Sequence, residues 1–335
     1  MKQTIKTLTL LLAMVLILAT LAACGGNGTT SPAGNQTPTE TPADGSGTTP
    51  PTGNEAPTET PADGNGTTPA NIPEYITIGG EVISTSETRL GIGISEQPGG
   101  NLLSIRVSDT RLSIDLDLTT ELLEQLPYMV NLTSLSMSLG ELFSDLTPLA
   151  GLTNLTELSL NSNQISDLTP LAGLTNLENL ILEQKPISDL TPLSELTSLT
   201  SLELSWNQIS DLTPLARLTN LERLVLWRNE ISDLTPLAGL TNLENLQLVH
   251  NQVSDLTPLA GLTNLTFLDL RSNQISDLSP LSGLTNLTRI MMYDNQISDL
   301  TPLARLTNLT ELSLSRNPIT DWSPVAHVNT VRGRP

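Results

Sequence analysis

Aspartate recurs at a fixed interval of 22 residues through more than half of the sequence. No helical bundle or doubly wound sheet requires so constant an interval, so the chain is predicted to be a stack of similar structural units. Aromatic residues make up only 2% of the chain while leucine is abundant, as expected for a core built from one repeated aliphatic side chain. The recurring aspartates are Asp145, Asp167, Asp189, Asp211, Asp233, Asp255, Asp277, Asp299 and Asp321.

Each unit follows the pattern L-x-x-L-x-L-x-x-N-x-L, as in the stretch from Leu155 to Ile165. Leu158 and Leu160 alternate with polar neighbours, which predicts a short half-buried strand. The pattern resembles the 22-residue leucine-rich repeats of bacterial internalins over about 132–325. That resemblance implies a right-handed leucine-rich-repeat solenoid, with a parallel β-sheet on its concave face and short 3₁₀ or irregular turns on its convex face.

A stack of this kind exposes leucines at both ends unless they are covered. Alternating apolar residues before the first clear unit predict an N-terminal cap of degenerate repeats over 72–131, followed by the repeats over 132–320. At the other end, 321–335 is predicted to form a C-terminal cap. There Trp322 replaces a leucine of the repeated phrase and is interpreted as a lid on the last turn.

Two polar columns of the repeat are interpreted as structural. An asparagine after each strand offers a donor and an acceptor to the backbone of the bend, although Lys185 and Pro186 interrupt this column in one unit. The aspartates precede Leu-Thr-Pro and are expected to cap the turn by accepting from the amide two residues on. A calcium site of stacked carboxylates is the alternative, but the glycine-rich spacing of calcium β-rolls is absent.

The N-terminus has the features of an export signal. Two lysines precede an apolar stretch, so 1–23 is predicted to be a signal peptide. Leu21-Ala22-Ala23-Cys24 resembles the lipobox of bacterial lipoproteins, which implies that Cys24, the sole cysteine, is acylated and anchors the protein at the extracellular face of a membrane. From Cys24 to residue 71 the chain is rich in Pro, Thr and Gly and is predicted to be a disordered linker.

Four columns of the unit are expected to point away from the core, and these vary at nearly every unit while the convex positions hardly vary. Aromatic and apolar residues in these columns, flanked by arginines, favour an anchor cluster with a charged rim. The candidate partner-binding residues are Trp206, Trp227, Phe267, Tyr293, Ile181, Val225, Val249, Met291, Arg223, Arg228, His250, Arg271 and Arg289.

The predicted function is recognition of a protein or carbohydrate ligand through the concave face. A structural scaffold of the cell envelope without a specific ligand is the alternative. A net charge of −20 argues against nucleic acid as a partner. Attachment to the membrane is expected only through the lipid. The two histidines form no Ser-His-Asp or metal-ligand pattern, so neither an enzyme nor a cofactor is expected.

Overall fold

The computed structural model describes the strands between 75 and 115, Glu124, and then 126–138, 144–160 and 164–334. The predicted signal peptide, Cys24 and the linker lie outside these residues, as does Asn163 of the asparagine column. No helix in the described part of the chain has the length and apolar character needed to cross a membrane.

Ten parallel strands, all within the described residues, run through the repeats and form the main sheet. They are β6 (Ser134–Ser138), β7 (Glu157–Leu160), β8 (Asn179–Ile181), β9 (Ser201–Glu203), β10 (Arg223–Val225), β11 (Asn245–Gln247), β12 (Phe267–Asp269), β13 (Arg289–Met291), β14 (Glu311–Ser313) and β15 (Thr330–Arg332). From β7 to β14 each strand pairs with its neighbour in a register of one whole unit, so that Leu202 lies beside Leu224 and Leu224 beside Leu246.

Short 3₁₀ turns return the chain on the opposite side. Within the repeats each begins at the Thr-Pro or Ser-Pro of the unit, where the fixed φ of proline favours a turn. The turns are Thr147–Leu149, Thr169–Leu171, Thr191–Leu193, Thr213–Arg217, Thr235–Leu237, Thr257–Leu259, Ser279–Gly283, Thr301–Leu303 and Ser323–Val325, with an earlier one at Leu126–Tyr128. Parallel strands on one face and 3₁₀ turns on the other confirm the predicted solenoid.

The leucines of successive units stack into one continuous core. Leu158, Leu180 and Leu202 are at most 1% exposed, and the same holds for their counterparts in later units. Each unit buries its apolar face only against its neighbours, so the stability of the stack comes from contacts between units. Trp322 is half-buried and packs against the end of this core, as expected for a lid.

The segment before the repeats differs from the predicted degenerate repeats. β3 (Arg89–Gln97), β4 (Gly100–Val107) and β5 (Thr110–Asp115) form an antiparallel meander, whereas repeats would pair in parallel. β3 joins the main sheet by pairing in parallel with β6. Before it, β1 (Tyr75–Ile78) and β2 (Glu81–Ser84) form a separate antiparallel hairpin. Alternation of apolar residues predicted strands here but carries no information about their partners.

Both polar columns have the predicted structural roles. Asn229 donates from Nδ2 to the Leu204 carbonyl oxygen of the preceding unit at 3.0 Å, and its Oδ1 accepts from the Ile209 amide at 3.0 Å. Asp233 Oδ1 accepts from the Thr235 amide at 2.8 Å, which caps the turn. Among the described residues, no group of three or more His, Cys, Asp or Glu side chains is placed to hold a metal ion.

Candidate functional site

The repeat presents four outward columns on the concave face, and only two of them belong to strands. In β10, Arg223 and Val225 flank the buried Leu224, so they occupy the first and third positions of a strand of three residues. Trp227 follows the buried Leu226, and Arg228 comes directly after Trp227. The third and fourth columns therefore lie in the bend that carries the chain off the sheet.

The fourth column has left-handed backbone, which the sequence analysis did not predict. We call it the left-handed row, and its φ angles lie between 52° and 62°. A left-handed conformation costs a residue with a Cβ atom about 1–2 kcal/mol, and glycine or asparagine relieves most of that cost. The seven residues are Gln184, Trp206, Arg228, His250, Ser272, Asp294 and Arg316. The left-handed backbone does not favour tryptophan or arginine, so it does not explain why they occur at these positions.

Trp206 and Arg228 form the centre of the concave face. Trp206 is the single large hydrophobic residue that is exposed among the described residues, with 47% of its surface accessible. The guanidinium carbon of Arg228 lies 4.0 Å from the centroid of the Trp206 ring, within the range of a cation–π interaction. Arg228 is exposed, and stacking through the face of its guanidinium leaves the N–H groups at the edge uncovered by the ring, so they can donate to a carboxylate.

Two further arginines stack on aromatic rings towards the C-terminal end of the face. The Arg289 guanidinium carbon lies 5.5 Å from the Phe267 ring centroid, and that of Arg316 lies 5.1 Å from the Tyr293 ring centroid. The sequence analysis did not include Arg316 among its candidate residues. The available signal was an arginine one unit after an aromatic residue, in the same column or the next.

Most of the predicted charged rim is neutralised within the face. In the described chain the concave face has four ion pairs, and three of them join candidate arginines to carboxylates. The candidate His250 is exposed. The pairs are Arg223 with Glu203 at 3.1 Å, Arg271 with Asp269 at 2.7 Å, Arg289 with Glu311 at 2.8 Å, and Arg332 with Glu311 at 3.5 Å. Arg228 and Arg316 have no carboxylate partner among the described residues, so they are the cations best placed to meet a ligand.

Two predicted apolar candidates are not exposed. Val225 is 2% and Val249 is 7% accessible, so the prediction that they contribute to an exposed cluster is wrong. Gln247 and Asp269, which follow Val225 in the same column, are 6% and 1% exposed, so burial in this part of the column is not confined to short side chains. Ile181, Met291, Phe267 and Tyr293 are half-buried, as is Trp227, whose indole nitrogen is enclosed without a hydrogen-bond partner.

Two carboxylates and a lysine lie together at the N-terminal end of the face. Lys185, in the asparagine column, is 4% exposed and donates from Nζ to the Glu183 carbonyl oxygen at 3.0 Å. Burial lowers the pKa of Lys185 to about 8, and the Glu183 carboxylate partly opposes this. Burial also raises the pKa of Glu183, and the charge of Glu203 adds to the rise. The enclosed lysine is a feature of the stack and not part of the accessible surface.

The chain matches the family model described as Leucine Rich repeats (2 copies) four times, over 153–195, 197–239, 241–283 and 285–327. Together these matches cover half of the sequence. No curated protein is significantly similar to the chain in sequence.

Solved structures with the same fold include two bacterial proteins and the ectodomain of a plant receptor kinase. An internalin from Listeria monocytogenes is 39% identical, with a TM-score of 0.60 over 62% of this chain and 62% of that one. The likeness thus spans less than two thirds of the internalin. A leucine-rich repeat protein of Leptospira interrogans is 25% identical, with a TM-score of 0.55 over 62% of each chain. The ectodomain of a receptor kinase from Arabidopsis thaliana, 24% identical with a TM-score of 0.54 over 62% of this chain and 27% of that one, shares the fold alone.

Proposed function

The chain belongs to the leucine-rich repeat family, and we propose that it is a cell-surface binding protein that recognises a protein partner through its concave face. The observation that carries this proposal is the stack of Arg228 on Trp206 in the left-handed row. Tryptophan and arginine are the residues most enriched in binding hot spots, and here both occupy backbone that disfavours them. Stability alone would favour asparagine or glycine at these positions.

The charge of the face supports a partner with an acidic surface. Five of the seven arginines between residues 200 and 320 lie in the outward columns, although the chain carries a net charge of −20. Arg228 at the centre and Arg316 at the edge are free of intramolecular carboxylates among the described residues. A partner can bind this centre by placing a carboxylate where Arg228 donates hydrogen bonds and an apolar group against the ring of Trp206.

The location follows from the N-terminus. We propose that the signal peptide over 1–23 is removed and that Cys24 is acylated, which anchors the protein at the outer surface of a bacterial membrane. Mass spectrometry of the mature N-terminus tests this directly. An acylated Cys24 is expected, and a mature chain with an unmodified thiol there would contradict the anchor.

The binding proposal is tested by substitutions that separate recognition from stability. Trp206→Asn is expected to preserve or raise the melting temperature, since asparagine tolerates left-handed backbone. The same change should weaken a captured partner at least about tenfold, as expected for a hot-spot residue. Partners are captured with the native protein from envelope and host-surface extracts, and affinity is then measured by calorimetry.

Arg305→Ala is the matched control, because Arg305 lies on the convex side two residues after the 3₁₀ turn Thr301–Leu303. It should leave both affinity and melting temperature unchanged. A partner that binds Trp206→Asn and Arg228→Gln as tightly as the native protein contradicts the proposed centre. A ligand that proves to be a glycan contradicts the protein class. Failure to capture any ligand favours the scaffold alternative.

A further inference from the structure

Consecutive units are joined by a recurring set of hydrogen bonds in addition to the pairing of their strands. The column asparagine donates to a carbonyl and accepts from an amide of the preceding unit. The residue after it donates its own amide, and a second asparagine near the end of the unit also donates backwards. At the junction of units 199–220 and 221–242 these bonds are Asn229 Nδ2 to Leu204 O at 3.0 Å, Ile209 N to Asn229 Oδ1 at 3.0 Å, Glu230 N to Ile209 O at 2.9 Å and Asn242 Nδ2 to Thr219 O at 2.9 Å.

Three substitutions remove this set at one junction, between units 155–176 and 177–198. Lys185 replaces the column asparagine, has no acceptor atom, and turns its Nζ to Glu183 within its own unit. Pro186 has no amide hydrogen, so the backbone bond to Ile165 O cannot form. Ser198 replaces the second asparagine and so lacks the side-chain amide that donates backwards at the next junction, where Asn220 Nδ2 donates to Thr197 O at 2.9 Å. All three positions face the same junction.

Among the described junctions, none that follows the boundary at 176/177 lacks all three residues of the set. Proline recurs at Pro318, but there Asn317 still donates to Met292 O at 2.8 Å and accepts from the Ile297 amide at 3.0 Å. On the other side of unit 177–198, Asn207 donates to Leu182 O at 2.9 Å, so that junction retains its asparagine. The loss is therefore specific to the boundary at 176/177.

We propose that the boundary at 176/177 is an opening plane, at which the turns before it separate from those after it without global unfolding. The junction keeps the pairing of β7 with β8, from Glu157 beside Asn179 to Ser159 beside Ile181, and the contact between stacked leucines. In a linear stack each interface contributes its own free energy, and the weakest one sets where the stack first opens. Among the boundaries from 176/177 onwards in the described chain, this one has lost the most of the recurring hydrogen bonds.

The position of the plane has a consequence for recognition. Trp206, Arg228 and Tyr293 all lie after it, in units joined by intact asparagines. Opening at 176/177 leaves the binding centre assembled, while the turns before the boundary lose the neighbour that stabilises them. The inference stands apart from the proposed function, because it depends on the junction bonds and not on any ligand.

Native-state hydrogen exchange of the full chain, followed by mass spectrometry, tests the plane. Amides in 144–160 and 164–176 are expected to exchange through a partial opening about tenfold or more faster than those in 199–314, with the step at 176/177. A repaired variant carries Lys185→Asn, Pro186→Gln and Ser198→Asn. It should lose the step, because each change restores a bond found at the regular junctions.

A transplant in the repaired chain provides the matched control. Asn207→Lys, Gln208→Pro and Asn220→Ser create the same three losses one unit later, so the step should move to 198/199. Fraying from the N-terminal end affects all three chains alike and cannot move a step. Uniform exchange across 176/177 in the native protein, or a step that survives repair unchanged, would overturn the proposal.

Discussion

Seven residues other than glycine have positive φ angles at the same place in successive units. Each lies three residues after the last residue of a strand, as Arg228 does after Val225. Such backbone costs about 1–2 kcal/mol at each residue with a Cβ atom. The side chains chosen at this cost differ from unit to unit, from Trp206 to Asp294. Variation at strained positions is expected when the side chains serve a partner and the backbone serves the stack.

These residues were predicted to point outward, but their left-handed backbone was not predicted. Alternation continues through Ser201, Glu203 and Ser205, so it suggests a strand that persists up to the asparagine. The strand ends at Glu203, because the bend needs a reversal before Asn207 donates to the carbonyls behind it. The period of hydrophobic residues does not predict where the chain turns off the sheet. It also does not predict that Val225 is buried, because the burial of an outward side chain depends on the units on either side of it.

The aspartate caps predict a dependence of stability on pH. In Asp233 the Thr235 hydroxyl and then the Thr235 amide donate to the carboxylate, which lowers its pKa below the ordinary value of 3.8, and Asp255 is lowered in the same way. A folded pKa below the unfolded one gives stability that is present above the unfolded pKa. That stability is lost as the pH falls through the folded value.

The urea midpoint of the native protein is therefore expected to be flat from about pH 7 to 5 and to fall below about pH 4. The double variant Asp233→Asn and Asp255→Asn should show a shallower fall, since two of the titrating caps are removed. Urea unfolding followed by circular dichroism across this range measures both curves. Parallel curves for the two proteins would show that the caps do not contribute to acid sensitivity.

At the scale of the element, the presence of each strand was predictable, while its partner was predictable only where the repeat is regular. A register of one whole unit follows from the 22-residue period, as the pairing of Leu224 with Leu246 illustrates. Before Ser134 there is no period, and β3, β4 and β5 pair antiparallel. Local alternation fixes which face is buried, and only long-range repetition fixes which strand lies beside which.

The asparagine column supplies a prediction about the bends. Asn251 donates to Leu226 O at 2.9 Å and to Leu248 O at 3.1 Å, and accepts from the Ile231 amide at 3.0 Å. Asn251→Ala leaves these buried groups unpaired, which should lower the free energy of unfolding by about 1–3 kcal/mol. Urea denaturation measures the change.

The second asparagine of the unit offers the comparison. Asn242 is exposed and makes one hydrogen bond, to Thr219 O at 2.9 Å. Asn242→Ala should cost less than about 1 kcal/mol, because water can replace the lost donor. Equal losses for Asn242→Ala and Asn251→Ala would mean that burial does not set the contribution of the column.

At the scale of the whole molecule, the solenoid separates what holds it together from what it presents. The leucines, asparagines and aspartates recur in every regular unit and fix the shape, so their identities say nothing of a partner. The outward columns are free to vary, and they bring Trp206, Phe267 and Tyr293 to one surface. The sequence predicted this division because repetition exposes the positions that do not repeat.

The protection of backbone amides in the complex with a captured partner tests the central claim most directly. On binding, hydrogen exchange should slow at 201–207, 223–229 and the equivalent residues up to Arg316, and stay unchanged at the 3₁₀ turns such as Thr235–Leu237. Trp206→Asn should remove most of the slowing at a partner concentration near the Kd of the native complex. Protection on the convex turns, with none on the strands and the left-handed row, would contradict recognition through the concave face.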